Sequence, residues 1–120
     1  MNCMIDPQAR LREESAISYA ESLAWLHAAI GEELVVEIGP RDGIEAVRLR
    51  GRLEGGRELW AHPESAVVFD VGGAEVSLWP RHFENAWRLR LELPDGEFID
   101  AIEVELSNGT TLSLSVAPPG

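Results

Sequence analysis

Three short turn signals cut the C-terminal half of this chain into alternating runs, and they constrain its fold more than any other feature. Gly72-Gly73 separates AVVFDV from AEVSLW, Pro94-Asp95-Gly96 separates AWRLRLEL from FIDAIEVEL, and Asn108-Gly109 separates that run from TLSLSVA. Gly-Gly and Asn-Gly supply the positive φ angles of two-residue hairpin turns, whose twist matches antiparallel strands. Upstream, LVVEI (34–38) opens the sheet, and Gly39 to Gly43, GPRDG, reads as another hairpin loop because Pro, Asp and Gly suit successive turn positions. EAVRLRGRLEG (45–55) sets Val47, Leu49 and Leu53 on one face and Arg48, Arg50 and Arg52 on the other, and ELWA (58–61) makes a short strand. Gly55-Gly56 matches no phosphate-binding spacing and reads as a bulge or turn.

Before Gly31 the period is helical. Asp6-Pro7 is a helix start, since Asp caps and Pro suits the first helical position, and Gly31 is the natural stop. At 100° per residue, Ala16, Ile17, Tyr19, Ala20, Leu23, Ala24, Leu26, His27 and Ile30 fall on one broad side, with Trp25 outside it. Ser15 offers an alternative start for a second helix. The expected fold is therefore α+β and mostly antiparallel β: an N-terminal helix (about 7–30) packed on a small barrel or sandwich of 7–8 strands. The 120 residues make one domain, with 1–6 and 117–120 as loose termini.

Charge narrows the function. The net charge is −11, and all ten basic residues are arginine. A field this negative repels phosphate, so neither nucleic acid nor an anionic membrane is an expected partner. No apolar run is long enough to span a bilayer, and the N-terminus does not read as a secretory signal. Cys3 is the single cysteine, so no internal disulfide forms, and a cytoplasmic protein is expected.

Two arginine rows interrupt this acidity, VRLRGRL (47–53) and WRLRLEL (87–93). Across the Pro94-Asp95-Gly96 turn, the polar face of AIEVEL would set Glu103 and Glu105 opposite Arg88 and Arg90, a cross-strand charge ladder rather than a phosphate grip. Chemistry finds little support. There is no nucleophile elbow, P-loop or dinucleotide motif, and His27, His62 and His82 lack zinc-ligand spacing even with Glu64 and Glu84 near the last two. Neither a cofactor, a metal site nor a catalytic set is expected, and the chain reads as non-enzymatic.

The four tryptophans are more informative, because Trp buries much area and keeps one N–H to donate. Trp25, Trp60, Trp79 and Trp87, with His82, are the candidate partner- or ligand-binding residues. The leading expectation is a small acidic protein acting by protein–protein interaction, of inhibitor or immunity type. Self-association as a homodimer is expected through Trp25 and Ala29, which a single covering face would leave exposed. The alternative is a small-molecule-binding barrel whose pocket between helix and strands is lined by Trp79, His82, Trp87 and an arginine.

Overall fold

The computed structural model describes residues 10–40, 47–59 and 66–117. The element order is β1 (Arg10–Ile17), α1 (Tyr19–Ala28), β2 (Glu33–Pro40), β3 (Val47–Leu59), β4 (Ala66–Val71), β5 (Ala74–Leu78), a 3-10 turn (Pro80–His82), β6 (Phe83–Glu92), β7 (Phe98–Leu106) and β8 (Thr110–Val116). All eight strands join one antiparallel sheet in the order β1-β6-β7-β8-β2-β3-β4-β5. The α+β, mostly antiparallel class is as the sequence indicated. The sheet is not closed into a barrel: among the described residues β1 and β5 are its edge strands.

The front of the chain differs from the expected helix over 7–30. Residues 10–17 are a strand, and the helix begins only after Ser18. A capping box fixes that start: Ser18 Oγ accepts from the Glu21 amide at 3.1 Å and the Glu21 carboxylate accepts from the Ser18 amide at 2.9 Å. Placing the start at Ser18 also changes which side is buried. Ser22, Leu26 and Ala29 face inward, and Leu23 and Trp25 pack against the same core. Trp25 is thus partly covered and Ala29 is 6% exposed.

Helix α1 lies on one face of the sheet. Beneath it are Leu34 and Val36 of β2, Leu112 and Leu114 of β8, Ile102 and Val104 of β7, and Phe69 and Leu78 of the β4–β5 hairpin. Tyr19 fastens the helix by donating from its hydroxyl to the Leu78 carbonyl at 2.9 Å. Gly31 (φ 95°) turns the chain into β2, and its amide donates to Leu53 O at 2.8 Å. ELWA is no separate strand; residues 58–59 continue β3 past a register shift between Glu54 and Arg57, where Gly55-Gly56 sits. Gly51 and Gly72 make a close backbone approach: a Cβ on Gly51 would lie 2.5 Å from Gly72 Cα. At the C-terminal end Ala117 is tied down, its amide donating to Glu33 O at 2.8 Å.

Candidate functional site

Side chains that alternate with the core positions point to the helix-free face. One row crosses five strands there: Arg48, Glu37, Ser113, Glu103 and Trp87 are successive partners. The next row is Arg50, Val35, Ser115, Ala101 and Leu89. Directly opposed side chains in such rows stand roughly 5 Å apart. A second apolar cluster, Leu89, Leu91, Leu93, Ile99 and Ala101, sits at one end of this face with Trp87 packed on it.

The centre of the face is withdrawn from water yet polar. Glu37 is 5% exposed and Ser115 0%. Both carboxylate oxygens of Glu37 and the hydroxyl of Ser115 are buried without a hydrogen-bond partner. The neighbouring arginines do not relieve them. Arg50 pairs with Glu33, and Arg48, directly opposite Glu37, is exposed and makes no ion pair among the described residues. Two strands from Glu37, burial raises the Glu103 carboxyl above the usual carboxylate range, and repulsion from Glu105 and Glu14 adds to the rise. The centre of the face thus gathers carboxylates and hydroxyls, and the buried oxygens of Glu37 and Ser115 have no hydrogen-bond partner.

Two cavities bounded by described residues lie away from this row. One of about 420 Å³ is bounded by Arg10, Arg12, Glu92, Leu93 and Pro94, where Arg12 is already paired with Glu92. The other, about 180 Å³, lies beside the β6–β7 turn between Leu93, Glu97, Phe98, Asp100 and Val116.

The sequence-derived candidates do not converge. Trp60 lies outside the described residues, as do Cys3, His62 and Glu64. Trp25, on α1, is partly buried and packs against the core beneath the helix. Trp79 ends β5 with the Arg81 guanidinium 5.9 Å from its ring, and His82 is exposed at the end of the 3-10 turn. Neither lines either of these two cavities. Trp87 alone reaches the row described above. The second arginine row is corrected as well. The hairpin register opposes Arg88 to Ile102 and Arg90 to Asp100, whereas Glu103 and Glu105 oppose Trp87 and Asn85 on the other face. A one-residue difference in register moves every side chain to the opposite face. Arg88 pairs instead with Asp100 at 3.6 Å and Arg90 with Glu13 at 3.5 Å.

Glu37, Ser113, Ser115 and Glu103 were not among the sequence candidates. A signal existed: Glu37 interrupts LVVEI, an otherwise apolar run, and Ser113 and Ser115 alternate with leucines in TLSLSV, which places both on one face.

Among the described residues, no three histidine, cysteine or acidic side chains gather as a metal site, and no helix is long and apolar enough to cross a membrane. No family model and no curated protein matches the sequence. Two solved structures do match the fold. Apo-PhuS, a haem-binding protein from Pseudomonas aeruginosa, superposes with a TM-score of 0.66 at 15% identity over 88% of this chain and 30% of that one. ChuS, a haem oxygenase from E. coli, superposes with a TM-score of 0.64 at 18% identity over 89% of this chain and 31% of that one. The chain therefore spans under a third of either protein, and at these identities the likeness is one of fold. It corrects the leading functional expectation. This architecture is found in a haem-binding protein and a haem oxygenase, so the inhibitor or immunity-type expectation and the expectation of a non-enzyme are set aside.

Proposed function

We propose that this chain is a small-molecule-binding module whose ligand sits on the helix-free face of the sheet, over β2, β8 and β7. One observation carries the reading: Glu37 and Ser115, diagonal neighbours on adjacent strands, bury three oxygen atoms that have no hydrogen-bond partner. A buried polar group left unmatched costs about 1–3 kcal/mol, and more when charged. Proteins keep such groups where a ligand, an ordered water or a function answers them. Convergent polar groups set among apolar side chains are also the usual lining of a ligand site. The fold supports a small-molecule reading, since both structures that share it are described by their dealings with haem.

Haem itself does not fit the described residues. Its iron needs an axial histidine, cysteine, methionine or tyrosine. Tyr19 commits its hydroxyl to Leu78, while His27 and His82 are exposed and line neither cavity.

The test is calorimetric titration of a metabolite panel against the wild type, Glu37→Ala and Ser115→Ala, with a haem titration followed at the Soret band. Saturable binding of a small compound that either substitution weakens at least tenfold is expected. Haem binding that survives Glu37→Ala and disappears in His27→Ala or His82→Ala would overturn the placement.

A further inference from the structure

We infer that the ligand of the helix-free face carries a primary ammonium group, received by the Glu37 carboxylate with the Ser115 and Ser113 hydroxyls beside it. This deepens the reading above and rests on it.

Across β2, β8 and β7 the row offers two carboxylates, Glu37 and Glu103, and the hydroxyl of Ser113 between them, with Ser115 diagonal to Glu37. A carboxylate only accepts, and hydroxyls accept as well as donate. Three of these oxygens are buried and unmatched, so the missing partner brings N–H donors. A buried carboxylate also needs a positive charge, because the desolvation cost of an isolated ion is several kcal/mol. The neighbouring arginines do not provide one: Arg48 is exposed with no ion pair among the described residues, and Arg50 is held by Glu33.

Two further observations choose an organic cation over a metal ion. Hard divalent cations want six or more oxygen ligands with several carboxylates, and no three metal-ligating side chains gather among the described residues. Trp87 closes the row beside Glu103. An indole face next to a carboxylate is the pairing that receives alkylammonium groups. Glu37 and Glu103 are carried on strands roughly 10 Å apart, twice the inter-strand spacing, so a short diamine can address both across Ser113.

Putrescine and its uncharged isostere 1,4-butanediol are the probes, titrated calorimetrically at about 150 mM salt, where surface charge is screened beyond roughly 8 Å. The proteins are the wild type, Glu37→Gln, Ser115→Ala and Glu54→Gln, the last removing an exposed acid away from the row. Putrescine is expected to bind the wild type and Glu54→Gln saturably and at least tenfold more tightly than the diol. Glu37→Gln should lose at least tenfold, and Ser115→Ala, which keeps the carboxylate should Glu37→Gln fold poorly, several-fold. Equal binding of putrescine and diol, or equal losses in Glu37→Gln and Glu54→Gln, would overturn the ammonium. Saturable binding of a neutral metabolite that Glu37→Ala abolishes would also overturn it while leaving the small-molecule site standing. Absence of binding by any compound removes both.

Discussion

Replacing Glu37 by methionine should make this protein more stable while abolishing ligand binding. Methionine has nearly the length of glutamate, and its flexible thioether adapts to irregular space, so the repacking cost stays below about 1.5 kcal/mol. Against that stands the relief of two buried, unmatched oxygens. An unsatisfied buried polar group costs roughly 1–3 kcal/mol, and an unpaired charge several. The difference is a net gain of about 2 kcal/mol. For a chain of this size that is a rise in Tm of roughly 8 °C, at about 4 °C per kcal/mol. In urea, with a slope near 2 kcal/mol/M, the midpoint moves up by roughly 1 M with the slope unchanged. The assay is paired urea denaturation of wild type and Glu37→Met, followed by tryptophan fluorescence and far-UV circular dichroism. A midpoint that falls by half a molar or more would refute the reasoning, for it would mean that Glu37 is satisfied within the folded chain.

Three other outcomes are expected. Gly51→Ala should destabilise by about 2–3 kcal/mol in the same assay, because the new Cβ meets backbone atoms, Gly72 Cα at 2.5 Å and N at 2.6 Å, which no rotamer change can clear. Glu103→Gln bears on pH: the native state holds the Glu103 proton more tightly than the unfolded chain does, so this group favours folding below the usual carboxylate range and that contribution is lost as pH rises through the raised value. The variant should therefore melt higher than wild type at neutral pH, with the gap closing below about pH 4; a constant gap would point to packing instead. Ser18→Ala removes the hydroxyl of the capping box and should cost about 1 kcal/mol in the same urea assay.

The legibility of this fold follows the range of the interactions that make each part. The β4–β5, β6–β7 and β7–β8 hairpins were readable because their turns are local chemistry: Gly72, Gly73, Gly96 and Gly109 all adopt positive φ. Strand β1 was not. Arg10–Ile17 is an almost wholly exposed edge whose extended form comes from pairing with β6 some seventy residues away, and strand preference depends heavily on such context. Propensity alone favours helix there, although Ser18 and Glu21 spell the capping box that marks the true start. The exchange of partners at Arg88 and Arg90 has a similar origin. The turn closes with the Leu93 amide donating to Glu97 O and the Gly96 amide to Leu93 O, which pairs Glu92 with Phe98 and so sets parity along the hairpin. The dipeptide pattern names the turn but not its count. Glu37 was hidden for a third reason: its strangeness appears only when LVVEI is known to lie between β8 and β3 rather than at an edge.

What the chain leaves unused is the strongest guide to its role. An antiparallel sheet with a helix on one face ordinarily gives water the other, alternating apolar-in and polar-out. Here the second face follows neither rule. Leu89, Leu91, Ile99 and Ala101 make it a core, while Glu37 and Ser115 place unmatched oxygens beside that core. Features that look outward in the sequence are consumed internally: Trp25 by the helix–sheet core, Arg50 by Glu33, Arg88 by Asp100 and Arg90 by Glu13. The indole of Trp25 is partly buried against the helix–sheet core. The buried, unmatched oxygens of Glu37 and Ser115 beside that apolar cluster are what favour the proposed ligand, one that brings its own donors and charge.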